Sequence, residues 1–125
     1  MNIPKNLMYT NDHEWIKFDN NIVTIGITDF AQGELGDIIF VELPEVGKEI
    51  EKDEVFGTIE AVKTVSDLVS PVTGKVVEIN DEIEDSPELV NEDCYGKGWF
   101  VKIELNNLSA KDELLSAEDY QDIIG

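Results

Sequence analysis

The sequence contains no arginine, and its nine basic residues are lysines set against 28 aspartates and glutamates. The formal net charge is therefore −19. A chain this acidic is repelled by the phosphate backbone of nucleic acids and by anionic lipid headgroups. We expect no nucleic-acid partner and no membrane partner, and any protein partner should present a basic surface.

Cysteine and histidine are almost as scarce, with one residue of each. Cys94 has no partner for an internal disulfide, which is typical of a reducing compartment, and is expected to be a small, partly buried apolar side chain. One cysteine and one histidine cannot form a structural zinc site. The acidic run 80–85 lacks the glycine and the spacing of a calcium loop and is predicted to be a solvated turn. No metal site is predicted.

Long apolar segments are also missing. No segment approaches the ~20 apolar residues that a membrane-spanning helix needs. The first residues, MNIPKNLMYT, have neither the apolar run of a signal peptide nor the arginines of a transit peptide. A bacterial, cytoplasmic location is expected.

Catalytic motifs are absent from the sequence. It has no dinucleotide-binding G-x-G-x-x-G, no phosphate-binding G-x-x-x-x-G-K-[ST] and no serine in a nucleophile elbow. The segment HEWIK begins like a zinc-protease helix but lacks the second histidine. We therefore predict that the protein is not an enzyme and has no catalytic residue of its own.

Short β-prone runs separated by turn residues make up most of the sequence before Leu108. Thr28 or Asp29 can cap a short helix that Gly36 ends, and Ser86-Pro87 is typical of another helix start. After Leu108 the pattern becomes helical, with Ser116 and Asp119 spaced like a capping box. The 125 residues predict a single domain, with a core at about 22–105 and a helical tail at about 109–124.

A faint internal repeat relates the two halves of the core. Phe56 and Ile59 recur as Phe100 and Ile103 at a constant spacing of 44 residues, and Gly36 recurs as Gly74 at a spacing of 38. The second copy therefore carries an insertion, and residues 86–98 are the candidate. Two similar halves of short strands predict a pseudo-twofold sandwich or barrel in which each half covers the apolar face of the other.

Lys63 lies between these halves, at the centre of the run IEAVKTVSD. By pattern alone a lysine here is a solvated side chain at a strand end. A long apolar strand with an ammonium at its middle would be an awkward core element. A hairpin that turns at Lys63 would instead place the ammonium in solvent and keep the neighbouring valines inside.

Three segments resemble the glycine cleavage system H-protein family. They are GTIEAVKTVSDLVSPVTGKVVEIN (57–80), YTNDHEWIKFDNNIVTIGITDFAQGELGDIIFVELPEVG (9–47) and YGKGWFVKIEL (95–105). The resemblance extends to the tail segment LLSAEDY. Biotin carriers place their lysine between methionines, and lipoyl domains of 2-oxo acid dehydrogenases lack the His13-Glu14-Trp15 region and the helical tail.

The resemblance implies a mainly β, barrel-sandwich hybrid fold of the lipoyl/biotinyl-carrier type. It has two pseudo-twofold antiparallel halves, short helices and a helical C-terminal tail. It also implies that Lys63 is the covalent attachment site for lipoic acid, at the tip of a hairpin. A monomer is expected.

The family's activity then suggests how the carrier works. A PLP-dependent glycine decarboxylase (P protein) would load an aminomethyl group on the lipoyl arm. A tetrahydrofolate-dependent aminomethyltransferase (T protein) would unload it, and dihydrolipoyl dehydrogenase (L protein) would reoxidise the dithiol. A lipoyl- or octanoyl-transferring enzyme would modify the lysine. The resemblance further implies that Glu14, Asp67 and His13 line a cleft that shelters the loaded arm.

Two other functions remain open. The protein could be a relay that donates lipoyl groups to other carrier domains through an amidotransferase, or a carrier of another acyl group. The match over the terminal regions favours glycine cleavage.

Overall fold

The structure, a computed structural model, describes residues 2–106 and 108–125. The strands are β1 (Met8–Tyr9), β2 (Glu14–Asp19), β3 (Ile22–Ile27), β4 (Ile38–Glu42), β5 (Glu49–Ile50), β6 (Val55–Ala61), β7 (Val65–Val69), β8 (Gly74–Ile79) and β9 (Val101–Leu105). The helices are α1 (Asp29–Leu35), α2 (Glu82–Asp85), α3 (Leu89–Glu92), a 3-10 helix (Leu108–Glu113) and α4 (Ala117–Ile124).

Two antiparallel sheets form the body of the protein. One has six strands in the order β1-β2-β3-β9-β8-β5, and the other has three in the order β4-β6-β7. Neither sheet closes into a barrel. The predicted mainly β architecture with short helices and a C-terminal helix is confirmed.

The main hydrophobic core draws on both sheets, as the internal repeat predicted. Phe56 and Ile59 lie in β6, Ile103 lies in β9, and Phe100 directly precedes β9; β6 and β9 belong to different sheets. Phe56, Ile59, Phe100 and Ile103 are nevertheless all buried in the same cluster. The repeat therefore marks equivalent contributions from the two sheets to one core.

Helix α1 begins and ends where the sequence predicted. The Thr28 side chain accepts a hydrogen bond from the Ala31 N–H at 3.2 Å, which satisfies one of the free donors of the first turn. Gly36 ends the helix with φ at 79°, a conformation that favours glycine. The helix is thus fixed at both ends beside the start of β2 and β4.

Helix α4 packs on the N-terminal strands. The Ser116 side chain accepts a hydrogen bond from the Asp119 N–H at 3.1 Å, as the capping pattern predicted. Tyr120 is buried in a second apolar cluster together with Leu7, Tyr9 and Trp15. The C-terminal helix therefore belongs to the packed structure around β1 and β2.

Two local predictions were wrong. The acidic run 80–85 is not a solvated turn: it contains α2, whose Ile83 is fully buried. The buried isoleucine anchors the segment to the core, so the acids occupy only its outer side. Ser86 does not cap a helix with its hydroxyl, because a turn intervenes and α3 begins at Leu89 with no side-chain cap; the Ser86 carbonyl instead accepts from the Leu89 N–H at 3.1 Å.

None of the helices in residues 2–106 and 108–125 combines the length and the apolar character that crossing a bilayer requires.

Candidate functional site

Lys63 lies in the exposed connection between β6 and β7. The two strands pair antiparallel up to Glu60 and Val65. Beyond that pair the Ala61 N–H donates to the Thr64 carbonyl at 2.8 Å, which closes the turn around residues 62–64. The backbone thus folds back at the lysine, and the side chain projects from the end of a hairpin.

The prediction that this turn keeps its valines inside was wrong. Val62 is 70% exposed and Val65 is 60% exposed. Val65 stands opposite Glu60, on the face of the three-stranded sheet that points away from the core. The turn keeps the Lys63 ammonium out of the core, but it also leaves the neighbouring valines exposed to solvent.

The amine of Lys63 has no ion-pair partner among the residues that the structure describes. Its side chain runs beside Gly36, where a Cβ atom would lie 3.7 Å from Lys63 Cε and 3.8 Å from Nζ. The Val62 N–H donates to the Asp37 carbonyl at 3.1 Å. The connection between α1 and β4 therefore braces the hairpin tip and leaves the amine accessible.

A cavity of about 400 Å³ lies between β7 on one side and α1 and the start of β2 on the other. Its walls combine acids with apolar side chains: Asp12, His13, Glu14, Ile27, Phe30, Ala31, Glu34, Leu35, Ile59, Ser66, Asp67, Leu68 and Val69. The structure thus brings His13, Glu14 and Asp67 together around one space. Lys63 is not part of the wall; it stands at the end of the hairpin that supplies one side.

Thr10 organises the turn that presents His13 and Glu14. Its carbonyl accepts from the His13 N–H at 3.2 Å, and its hydroxyl oxygen accepts from the Glu14 N–H at 3.3 Å. His13 takes a positive φ of 65°, which is uncommon for a residue with a side chain. The turn is therefore held by local hydrogen bonds that place both side chains at the cavity.

Glu14 is a buried carboxyl, only 3% exposed. Burial, reinforced by the nearby charge of Asp12, raises its pKa from 4.5 to about 8, although a hydrogen bond with Thr10 opposes the shift. The Thr10 hydroxyl donates to Glu14 Oε1 at 3.4 Å. A cation that binds beside this neutral carboxyl would favour its ionisation.

His13 faces α1 and α4. Its ring centroid lies 4.8 Å from that of Phe30, and its Nδ1 lies 2.9 Å from the Tyr120 hydroxyl oxygen. Sequence reasoning missed Thr10, Phe30 and Tyr120 as parts of this site. Tyr120 is 107 residues away from His13 in the chain, and no local pattern could have linked the two residues.

Cys94 takes no part in the cavity. It is buried, and burial raises the pKa of its thiol to about 12. Its carbonyl accepts from the Trp15 indole N–H at 2.8 Å. Across the described part of the chain, His, Cys, Asp and Glu side chains nowhere form a group of three or more suited to a metal ion.

Comparison with known proteins gives concordant matches over the chain. The family model described as "Glycine cleavage H-protein" matches residues 7–125. The glycine cleavage system H protein of Staphylococcus haemolyticus is 59% identical over 125 residues, covering 100% of this chain and 99% of that protein. The protein of the same name from Carboxydothermus hydrogenoformans is 59% identical over 98% of this chain and 94% of its own.

A solved structure agrees with these matches. The crystal structure of a glycine cleavage system H protein from Mycobacterium marinum superposes with a TM-score of 0.89 at 40% identity. The superposition covers 96% of this chain and 97% of that chain.

Proposed function

The chain belongs to the glycine cleavage H-protein family, the lipoyl carriers of the glycine cleavage system, and from this premise we propose that Lys63 carries the lipoyl group. The observation that supports the proposal is the exposed amine of Lys63, which has no ion pair with a described residue. It lies at the end of a braced hairpin, next to a cavity lined by acids. The protein acts as a shared substrate of several enzymes and not as a catalyst.

The surroundings of Lys63 fit acylation of its amine. Amide formation removes the positive charge, and this costs no ion pair with a described residue. The side chain is accessible to a modifying enzyme, and the backbone hydrogen bonds that join residues 61, 62 and 64 and Asp37 do not use the Lys63 amine. The hairpin can therefore be recognised and modified without rearrangement.

The length of the modified side chain matches the distance to the cavity. Lysine plus a lipoyl chain spans roughly 14 Å, from about eleven bonds of standard length. Asp67 lies four residues after Lys63, which at the rise of a strand is at most roughly 13 Å. The end of the arm can thus reach the cavity wall formed by β7.

Glu14 and Asp67 are proposed to hold an aminomethyl cargo in this cavity. When attached, the lipoyl group supplies the disulfide–dithiol chemistry, and the protein supplies position and shielding. A cationic amine beside Glu14 favours ionisation of that carboxyl, and the resulting charge-assisted hydrogen bond shelters the cargo from water. His13 and the apolar residues of the wall complete the enclosure.

The partners follow from the proposed cycle. Glycine decarboxylase loads the arm, the aminomethyltransferase unloads it, dihydrolipoyl dehydrogenase reoxidises it, and a lipoyl- or octanoyl-transferring enzyme modifies Lys63. With a net charge of −19, the protein is proposed to meet basic surfaces on these enzymes. We further propose that residues 1–125 act as one carrier domain, monomeric and in the cytoplasm.

Reconstitution with glycine decarboxylase tests the function. The lipoylated protein should support exchange between labelled bicarbonate and the carboxyl group of glycine, and Lys63→Arg should abolish it. Lys75→Arg is the matched control, because Lys75 is also exposed but lies in β8, in the other sheet. No exchange with fully lipoylated protein, together with transfer of lipoyl groups to a second carrier domain by an amidotransferase, would favour the relay function instead.

A further inference from the structure

Three polar side chains form a short chain of hydrogen bonds behind His13: His13 itself, Thr28 at the start of α1 and Tyr120 in α4. His13 Nδ1 lies 2.9 Å from the Tyr120 hydroxyl oxygen. That oxygen lies 2.7 Å from Thr28 Oγ1. Thr28 and Tyr120 are both fully buried. The C-terminal helix α4 thus reaches the wall of the candidate site through one hydroxyl group.

The hydrogens of this chain can be placed by accounting for each donor. Thr28 Oγ1 already accepts from the Ala31 N–H, and the hydrogen of its own hydroxyl needs an acceptor. Among the described residues, the Tyr120 oxygen is the acceptor within reach. Leaving a buried hydroxyl hydrogen unpaired costs roughly 1–3 kcal/mol. Thr28 therefore donates to Tyr120.

We infer that Tyr120 is a positioning residue of the candidate site and that it fixes the tautomer of His13. Since Tyr120 accepts from Thr28, its single hydrogen is donated to His13 Nδ1. Nδ1 is then the acceptor, and the hydrogen of the neutral imidazole is on Nε2. The cavity wall thereby gains a ring whose remaining nitrogen, Nε2, is a hydrogen-bond donor.

The same hydroxyl groups fix two walls of the cavity at once. Thr28 caps α1, the helix that supplies Phe30 and Glu34 to the cavity. The Tyr120 hydroxyl contacts the side chain of His13, which lies on the neighbouring wall with a positive φ. The Tyr120 ring is itself held by stacking on Tyr9, with centroids 4.8 Å apart and planes 8° from parallel. The C-terminal helix is therefore part of the support of the site.

This inference rests on the proposed function where it concerns the arm. If the arm docks in the cavity, removal of the Tyr120 hydroxyl should loosen both walls and expose the cargo. Tyr120→Phe should then accelerate the release of ammonia from the loaded arm by roughly two- to tenfold, the equivalent of one net hydrogen bond. Lipoylation at Lys63 should be unaffected, because the hairpin tip does not contact Tyr120.

The network itself can be tested on the unmodified protein. His13 is the sole histidine, so nitrogen-15 NMR of the imidazole, recorded where the ring is neutral, reports one residue. The wild type should show hydrogen on Nε2 and an acceptor at Nδ1. Tyr120→Phe should give a mixture of tautomers, and Thr28→Val, which removes the donor at the other end of the chain, should do the same.

Tyr9→Phe is the matched control. Tyr9 belongs to the same stacked pair, but its hydroxyl donates to the Pro4 carbonyl at 2.5 Å and not to the site. It should leave the tautomer and the ammonia release unchanged. Hydrogen on Nδ1 in the wild type, or an unchanged tautomer in Tyr120→Phe, would overturn the inferred network.

The two measurements separate the inference from the proposed function. If Glu14→Gln accelerates ammonia release and Tyr120→Phe does not, the cavity shelters the arm but Tyr120 does not position it, and the inference fails. If neither variant accelerates release, the proposed sheltering fails, and the NMR result alone decides whether Tyr120 fixes His13.

Discussion

Glu14 is the residue whose burial has the clearest consequence for stability. Its pKa is about 8 in the folded protein against an ordinary value of 4.5. Between these values the folded state binds a proton that the unfolded state has lost, so stability falls as pH rises from about 4.5 to about 8. The penalty at the upper end is on the order of a few kcal/mol.

Glu14→Gln should remove this decrease of stability with pH, because the amide has no proton to lose. We expect wild type to lose stability between pH 5 and pH 8 relative to Glu14→Gln, as measured by urea unfolding across that range. Glu34→Gln is the control, since Glu34 lines the same cavity but is exposed. Parallel pH profiles for wild type and Glu14→Gln would show that the carboxyl ionises normally in the fold.

Glu14 and Asp67 should differ in how strongly they hold the cargo. A buried charge-assisted hydrogen bond is worth roughly 1–3 kcal/mol, and ionising Glu14 at pH 7 offsets about 1 kcal/mol of this. Glu14→Gln should therefore accelerate ammonia release by up to roughly thirtyfold. Asp67 is exposed, where an ion pair contributes at most about 1 kcal/mol, so Asp67→Asn should accelerate release by no more than about fivefold.

The measurement loads the lipoyl arm with glycine and the decarboxylase, removes both, and follows ammonia without the aminomethyltransferase. Lipoyl content should be the same in all variants. Equal rates in wild type and both variants would assign the shielding to the apolar wall alone.

At the scale of elements, the hairpin that carries Lys63 depends on a close approach of β6 to β4. A Cβ atom on Gly57 would overlap the Glu42 carbonyl oxygen, next to Thr58, the last residue of β6 that pairs with β4. Gly57→Ala should destabilise the protein by roughly 1–3 kcal/mol and lower Tm by about 4–12 °C.

Gly33→Ala is the matched control for that substitution. Gly33 is an exposed residue inside α1, and nothing lies within 4 Å of its missing side chain. There alanine should raise stability by up to about 1 kcal/mol, since it favours the helix. Thermal unfolding of both variants tests these expectations. A Gly57→Ala protein as stable as wild type would mean that β4 and β6 are free to move apart.

The elements also show what could be predicted from sequence. Strand character and helix caps follow from local chemistry, so short β-strands and the two ends of α1, at Thr28 and Gly36, were predictable. The exposure of Val62 and Val65 was not, because it depends on which face of the three-stranded sheet has no covering layer. The burial of Ile83 was missed for a similar reason: it depends on packing against the core, and the other five residues of the run 80–85 are all polar.

Some residues of the candidate site could be named from the sequence, and others could be found only from the fold. Lys63 is distinctive in its own segment, and His13, Glu14 and Asp67 could be named from the resemblance. That Glu14 is buried enough to hold a proton required the fold, as did the participation of Thr28 and Tyr120. Those contacts join residues that are separated by 92 and 107 positions in the chain. No local sequence pattern predicts contacts at such separations.

At the scale of the whole molecule, the fold should not depend on the modification. The core is drawn from both sheets, and Lys63 is exposed, so acylation changes only surface groups, an effect usually below about 0.5 kcal/mol. Unmodified and lipoylated protein should melt within a few degrees of each other by calorimetry. A loss of cooperativity in the unmodified form would show that the arm is part of the core.

Carriage of the lipoyl group by Lys63 is tested most directly by peptide mapping of protein purified from its native host. The lipoyl mass should be found on the peptide that contains Lys63, and Lys63→Arg protein from the same host should be unmodified. Lipoyl mass on Lys52 or Lys75, or normal modification of the Lys63→Arg protein, would contradict the assignment of Lys63 as the attachment site.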